Sequence, residues 1–456
     1  GGYKVWVVES ATKVFRDQKG PASPRLRWAL SAARNEHRAF QVVVRAGEKG
    51  LSRVRVTVSR LRDKEGREAG KVTLYRVGYV RLPKYGRDYP DPLPPYEPFD
   101  VAPGESQPVW VDVAVAKDAG PALYEAEVVV APEGERETRI AVSLRVYDFA
   151  VPSAPTMRTA FGISEGHMLQ QHGVQGGTPE ARALLERYYW FLVEHRISPY
   201  QIPVDVMSAE AGRFLNNERV TAFIVPYTDD EAELKKRYDF VRAQGWMPKA
   251  YSYVVDEPVN EEQYARLKEV ADRIHRLAPE MKLVAPYFRN PSFEGQGDVY
   301  DLLTGIVDIW CPNTGFFNAE KIAAKREAGE EIWWYVCCGP GKPYANFFVD
   351  LPGFYHRVLF WQQYLMQVQG LLYWSTTYWH PNSTQDPWED IATVKDIGPT
   401  IYGDGSLMYP GKRVGVEGPV SSIRLELIRE GAEDYEYMKL LEARKGREAV
   451  LAIVRE

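Results

Sequence analysis

Two carboxylates stand side by side in the run Tyr251-Ser252-Tyr253-Val254-Val255-Asp256-Glu257-Pro258. A pair of carboxyl groups is the usual equipment for hydrolysing a glycosidic bond through an oxocarbenium-like transition state. One of the two must keep its proton near neutral pH to act as an acid, and like-charge proximity with partial burial raises a carboxyl pKa. Neighbouring residues on a strand point to opposite faces. Asp256 and Glu257 therefore serve one site only if the strand ends between them, and Pro258 favours such an end. For such a pair taken alone, the alternative is a solvated loop start with both side chains in water.

The second resource is aromatic. The chain holds 12 Trp, 28 Tyr and 17 Phe, many clustered in its second half. One face of a sugar packs its C–H groups on an aromatic ring, while its hydroxyls need polar partners at the edge. Trp333, Trp334, Tyr335, Trp374, Trp379 and Trp388 are candidates for such a wall, with core packing as the alternative for each. Tyr253, within a strand-like run, and Tyr287, at the end of the next, are further substrate-binding candidates. Asn313 and Asn346 are candidates to hydrogen-bond hydroxyls or an amide, against plain loop structure. His167 and His172 lie near Glu165, but no further ligands follow at recognisable spacing, so neither a metal nor a cofactor is expected. No Gly-x-Ser-x-Gly elbow supports a serine nucleophile. Asn382-Ser383-Thr384 matches a glycosylation acceptor, which matters only in a secreted eukaryotic protein.

These groups must be positioned by the elements around them. Residues 1–150 read as all-β: short alternating or β-branched runs at 5–9, 38–45, 53–59, 72–82, 108–115, 122–131 and 138–147 predict a β-sandwich. Residues 151–157, with Pro152 and Pro155, read as a linker. From 158 to 456 eight apolar runs, at 158–164, 197–204, 221–227, 249–256, 282–287, 306–312, 331–337 and 370–376, alternate with helical stretches at 179–195, 230–244, 260–278, 318–329 and 354–369. That pattern predicts a (β/α)8-like barrel, irregular near its second unit, where no good helix is visible. An open doubly wound sheet is the runner-up, but no Gly-rich phosphate loop follows the first run. Residues 403–411 read as a short β-excursion, and 421–444 as the last barrel helix with a joint at Gly431. In barrels the site lies at the C-terminal strand ends, where Asp256-Glu257 and much of the aromatic excess fall.

The 456 residues suit two domains if one is a barrel of about 250. With 57 Lys plus Arg against 62 Asp plus Glu, the net charge of −5 is mild and well mixed, which argues against a nucleic-acid partner. No apolar run reaches the ~18 residues of a membrane span. Cys311, Cys337 and Cys338 are too few and too unevenly placed for a disulfide framework and read as buried thiols. The Gly1-Gly2 start leaves two locations open: export with a signal peptide removed, or the cytoplasm.

Several motifs together resemble glycoside hydrolase family 123. They are Asp256-Glu257-Pro258, Trp333-Trp334-Tyr335-Val336-Cys337-Cys338, Pro343-Tyr344-Ala345-Asn346-Phe347-Phe348-Val349-Asp350, Gly403-Asp404-Gly405 through Tyr409-Pro410-Gly411, Ser421-Ser422-Ile423-Arg424-Leu425-Glu426, and Gly431-Ala432-Glu433-Asp434-Tyr435-Glu436-Tyr437. Glu36-His37-Arg38-Ala39-Phe40-Gln41 also fits. The resemblance implies a β-sandwich joined to a barrel, and retaining exo-β-N-acetylgalactosaminidase activity by substrate assistance, without an enzyme nucleophile. It implies that Asp256 holds the acetamido N–H and that Glu257 serves as acid and then base. By strand position Tyr335 is the candidate for the acetamido oxygen and Trp374 for its methyl. The expected partner is an N-acetylhexosamine-containing glycan or glycolipid. A different sugar specificity, or a non-catalytic glycan-binding protein on the same scaffold, is left open by these residues.

Overall fold

The computed structural model describes residues 2–293, 297–379, 386–393 and 400–454. His380 and the acceptor triplet 382–384 lie outside the described residues. The chain divides into two compact units: 1–153 with 347–358 and 379–437, and 154–346 with 359–378 and 438–456.

The first unit is built on strands β1 (Tyr3–Glu9), β2 (Arg27–Arg34), β3 (His37–Ala46), β4 (Leu51–Val58), β5 (Gly70–Arg76), β6 (Tyr79–Leu82), β7 (Arg87–Pro90), β8 (Pro92–Leu93), β9 (Phe99–Val101), β10 (Ser106–Val115), β11 (Leu123–Ala131) and β12 (Thr138–Ala150). They form a sheet of order β1-β3-β10-β5, a sheet of order β2-β12-β11-β4-β9 and the ribbon β6-β7. Alternate residues supply the core, as the two-residue period requires. Phe40, Val42, Val44, Val109, Val111 and Val113 of one sheet cluster with Val54, Val56, Val128, Val130, Ile140 and Leu144 of the other. Each such side chain contributes about 1.5–3 kcal/mol when fully buried. Strand β2 is absent from the sequence expectation because Arg27-Trp28-Ala29-Leu30-Ser31-Ala32-Ala33-Arg34 holds no β-branched residue. Parallel pairing with β12 recruits it.

The later segments join this unit rather than the barrel, which corrects a single boundary near residue 150. A fully buried ion pair ties them in. Arg424 Nη2 lies 2.8 Å from Asp91 Oδ2, its Nη1 donates to the carbonyls of Phe347 and Gly403 at 3.0 and 2.8 Å, and the Tyr409 hydroxyl donates to Asp91 at 2.6 Å. The long C-terminal helix, Ile423–Lys445, runs through Gly431 without a break. An interior glycine costs only about 1 kcal/mol, and buried Ile423, Leu427, Ala432 and Tyr435 hold the helix in place. Through Tyr437 it belongs to the first unit.

The second unit holds seven parallel strands: β13 (Arg158–Phe161), β14 (Phe223–Ile224), β15 (Ala250–Tyr253), β16 (Lys282–Tyr287), β17 (Ile309–Pro312), β18 (Glu331–Tyr335) and β19 (Gly370–Tyr373). Their order is β13-β19-β18-β17-β16-β15-β14. The first strand therefore pairs with the last, and the sheet curls into a nearly closed barrel. Helices α1 (Glu165–His172), α2 (Pro179–Glu194), α3 (Ala211–Leu215), α4 (Glu231–Ala243), α5 (Glu261–Leu277), α6 (Val299–Leu303), α7 (Ala319–Glu327) and α8 (Gly353–Leu365) fall between strands.

The expected second strand, 197–204, does not form. Residues 198–200 instead thread the gap between β13 and β14. Phe161 N–H donates to Ser198 O (3.1 Å), Tyr200 N–H to Phe161 O (2.8 Å) and Ile224 N–H to Tyr200 O (2.7 Å). Pro199 and Pro203 lack the N–H groups that a central strand needs. The helix that follows is correspondingly reduced to the five residues of α3.

Ala160, Ala222, Tyr251, Val284, Ile309, Cys311, Trp333, Tyr335 and Leu372 fill the barrel interior. Cys311 is buried as expected, whereas Cys337 is half-buried and Cys338 exposed, because β18 ends at Tyr335, before the cysteine pair. No described helix is long and apolar enough to cross a membrane. Among the described residues no cluster of three or more His, Cys, Asp or Glu is placed to hold a metal ion.

Candidate active site

Strand β15 stops at Tyr253, three residues before Asp256, so the carboxylates are not divided by a strand end. The backbone turns at Glu257 instead, with φ at +43°. That left-handed conformation is uncommon outside glycine and costs roughly 1–2 kcal/mol. It frees the pair from strand alternation. Two phenols from the barrel interior then take one carboxylate each. The Tyr253 hydroxyl donates to Asp256 Oδ1 at 2.6 Å, and the Tyr335 hydroxyl donates to Glu257 Oε1. Tyr335 is a member of the interior cluster and Tyr253 packs against it. Both carboxylates are therefore anchored from below, at the C-terminal mouth of the barrel.

The two acids differ in environment. Asp256 is exposed and Glu257 half-buried. Burial raises the Glu257 pKa above its ordinary value; the hydrogen bond from Tyr335 opposes this and the charge of Asp256 adds to it. Tyr253 and Tyr335 are pushed far up, mainly by burial and then by neighbouring charge, so both stay protonated donors. Cys311 lies within the electrostatic reach of both carboxylates, and burial with their charge drives its thiol up, which makes it inert.

Trp374 stands half-buried at the exit of β19. Its ring centroid is 4.8 Å from that of Tyr378, which is 4.7 Å from the ring of His167. The exits of β13 and β19 are stitched by Gly162 N–H to Tyr373 O (2.9 Å) and Thr376 N–H to Gly162 O (2.8 Å). A Cβ on Gly162 would meet the Trp374 carbonyl oxygen at 2.0 Å, so only glycine permits this approach. Tyr378 is not among the sequence candidates, and His167 is there only in a metal context. The signal that points to Tyr378 is the aromatic spacing just beyond the last strand; His167 follows the first strand, which pairs with the last.

The other sequence candidates are placed elsewhere. Tyr287 is 1% exposed and packs against Tyr300, Trp310 and Phe316. Trp334 is buried, with its indole N–H on Gln363 at 3.1 Å and its ring edge-on to Phe317. Trp333 is buried inside the barrel with its N–H on Glu331 at 2.7 Å. Asn313 accepts from Gly315 N–H at 3.0 Å and donates to Gly339 O at 3.1 Å. Buried Asn346 donates to the carbonyls of Cys337 and Pro340, each at 3.0 Å. These two asparagines are ties that fix the loop after β18. Trp379 and Trp388 belong to the first unit. Trp379 is buried with its N–H on Ser406 and Met408, and Trp388 donates to Pro410 O.

A parallel barrel carrying two adjacent carboxylates at its C-terminal mouth, one of them with a raised pKa, is the equipment of a glycosidase. The sequence agrees: residues 200–441 match the catalytic domain of glycoside hydrolase 123. The chain belongs to glycoside hydrolase family 123 and is a glycosidase. Its fold is similar to that of a family 123 glycoside hydrolase from Clostridium perfringens, solved to study glycolipid glycan hydrolysis, with a TM-score of 0.78 at 13% identity over 99% of this chain and 91% of that chain. A Bacteroides ovatus GH5 xyloglucanase aligns with 94% of this chain and 100% of that chain at 9% identity, but its TM-score of 0.27 carries no argument. No curated protein matches the sequence.

Proposed function

We propose that this glycosidase is a retaining exo-β-N-acetylgalactosaminidase working by substrate assistance. The observation that carries the reading is the unequal carboxylate pair: separate phenols hold Asp256 and Glu257, and Glu257 has the raised pKa of a general acid. In the first step the substrate's acetamido oxygen attacks the anomeric carbon as the glycosidic bond breaks. Glu257 gives its proton to the leaving oxygen. Asp256, oriented by Tyr253, accepts the acetamido N–H and offsets the positive charge of the oxazolinium intermediate. In the second step water attacks the anomeric carbon, Glu257 takes its proton, and the acetamido group is restored. Two inversions give net retention. Trp374 walls the acetamido methyl. The Tyr335 hydroxyl is committed to Glu257, so its role is to tune that carboxyl rather than to hold the acetamido oxygen. The Clostridium perfringens protein, studied for glycolipid glycan hydrolysis, makes a glycolipid headgroup the first natural substrate to test.

The test is cleavage of 4-nitrophenyl β-N-acetylgalactosaminide, its gluco isomer and its 2-hydroxy analogue lacking the acetamido group. The galacto substrate should be cleaved, with retention visible by NMR. Glu257→Gln should lose activity most on poor leaving groups, and Asp256→Asn should lose it on all. Efficient cleavage of the 2-hydroxy analogue refutes substrate assistance, and preference for the gluco isomer refutes the assigned sugar.

A further inference from the structure

Cys337 and Cys338 have no part in the hydrolysis described above, yet they follow β18 directly, at the same mouth of the barrel as the two carboxylates. Adjacent residues on a strand point to opposite faces. Strand β18 has ended at Tyr335, however, and the chain turns, with Cys337 N–H donating to Gly339 O at 3.0 Å. The two sulfurs stand 3.9 Å apart. A disulfide needs about 2.05 Å, so closure asks for a movement of roughly 2 Å. Cys338 has room to make it, being exposed, while Cys337 is half-buried.

Cys337 is the anchored partner, and its anchors lead to the acids. Asn346 donates to its carbonyl at 3.0 Å, and Asn313 Nδ2 lies 3.9 Å from its sulfur. Its side chain packs against the barrel-interior cluster that includes Tyr335, as does Tyr253. These are the two phenols that hold Glu257 and Asp256. The sulfur is near enough for its charge to push the Tyr335 hydroxyl further up. The third cysteine does not compete: Cys311 is buried, and burial with the charge of both carboxylates keeps its thiol protonated.

An exposed thiol with a second thiol beside it is the arrangement of a redox-sensing pair, in which one sulfur meets the oxidant and the other resolves it. Consecutive Cα atoms lie about 3.8 Å apart across a trans peptide, below the roughly 4.4–6.8 Å usual for disulfides. A bond between neighbours is therefore strained, and strained or exposed disulfides are the readily reduced ones. Such a bond is a reversible modification rather than a permanent staple.

We propose that Cys337 and Cys338 are a redox modification site: a disulfide between them draws Cys337 away from Tyr335 and lowers turnover. The oxidant is a small disulfide, for which glutathione disulfide is the probe. The Cys338 thiol loses its proton to solvent and its thiolate attacks one sulfur of the oxidant. The oxidant's S–S bond breaks and the first glutathione thiolate leaves. The Cys337 thiolate then attacks the Cys338 sulfur, the protein S–S bond forms, and the second glutathione leaves. Two electrons pass from the cysteines to the oxidant, and each released thiolate takes up one of the protons given to solvent. The site rests on the proposed substrate reading only for its effect on turnover; the bond itself is read by mass.

The experiment treats the full chain with glutathione disulfide, alkylates the remaining thiols with iodoacetamide, and compares the parent with Cys338→Ser and Cys338→Ala. In peptide mass spectra the parent fragment carrying both cysteines should lose two hydrogen atoms and take no alkyl label, and should regain both thiols after dithiothreitol. With 4-nitrophenyl β-N-acetylgalactosaminide, kcat/KM should fall at least about tenfold on oxidation and recover on reduction, since misplacement by about 1 Å can cost about a hundredfold. Both variants should match the reduced parent in melting temperature and activity, and should keep that activity through the treatment. A parent fragment that stays reduced, ends as a mixed disulfide with glutathione or links to a second copy of the chain overturns the site, whatever the variants do. A bond between the two cysteines with unchanged kcat/KM overturns its effect on turnover, as does an equal loss in the variants. If the reduced parent fails to cleave the aryl substrate, the substrate reading falls, and the mass spectra still decide the disulfide.

Discussion

Replacing Tyr335 with Phe removes one hydroxyl and leaves the barrel interior filled. That hydroxyl donates to Glu257 and stabilises its ionised form, opposing burial and the charge of Asp256. A hydrogen bond to a charged group is worth about 1.5–3 kcal/mol. Glu257 is half-buried at the barrel mouth, where water replaces part of the lost bond, so the lower end applies. About 1.4 kcal/mol is a factor of ten in an equilibrium. At any given pH the ratio of protonated to ionised Glu257 should therefore rise about tenfold in Tyr335→Phe. The sign follows: the acid form survives to higher pH. The assay is kcat/KM against pH with an aryl substrate. Its alkaline limb, which reports loss of the acid's proton, should move to higher pH in the variant. Glu257→Gln should abolish that limb, which assigns it to this residue. Tyr253→Phe, which touches only the other carboxylate, should leave the limb in place. An alkaline limb that stays put in Tyr335→Phe, or moves to lower pH, refutes the claim that Tyr335 tunes the acid.

Four further outcomes are expected. Tyr253→Phe should lower kcat by about ten- to a hundredfold on a substrate bearing the acetamido group, because Asp256 loses its orienting donor; an unchanged kcat argues that Asp256 is held by its backbone alone. Because the folded pKa of Glu257 lies above the unfolded value of about 4.3, the folded state holds a proton that the unfolded chain has already lost, and stability falls as pH rises through that window. Glu257→Gln should therefore melt higher than the parent at pH 7 and gain little at pH 4. Arg424→Met strands the buried Asp91 carboxylate and should cost about 3–5 kcal/mol in urea unfolding, whereas Asp91→Leu combined with it should recover part of the loss. A maleimide probe on the native protein should label Cys338, which is exposed, and spare Cys311, which is buried; labelling of Cys311 before Cys338 in peptide mass spectra contradicts the barrel packing.

Much of the scaffold is legible in the sequence because its signals are local. The helices at 179–195 and 260–278 announce themselves by caps: Thr178 accepts from Ala181 N–H, and Asn260 with Gln263 forms a capping box. The parallel strands read as continuous apolar runs, since both faces are covered. Other features are invisible for physical reasons. Strand β2 depends on a partner over a hundred residues away. The assignment of 347–358 and 379–437 to the first unit is made by buried pairs such as Arg424 with Asp91, which no local pattern announces. The loss of the second barrel strand, by contrast, is written in Pro199 and Pro203, and Ile197, Tyr200, Ile202 and Val204 around them mask it.

The site itself turns on strand phase. Trp334 and Tyr335 are neighbours on one strand, so they cannot both face the same side of the sheet. The barrel interior takes Trp333 and Tyr335 from β18 and Tyr251 and Tyr253 from β15, each pair two residues apart. That phase leaves Trp334 to bond Gln363 outside the interior. The same rule would divide Asp256 from Glu257, and it fails there because the strand has ended and Glu257 adopts a left-handed backbone. Phase therefore picks out the two phenols from residue spacing alone, and backbone strain explains the two acids they hold. A site assembled in this way needs Tyr253 and Tyr335 to be in phase on strands β15 and β18, which are not neighbours in the sheet.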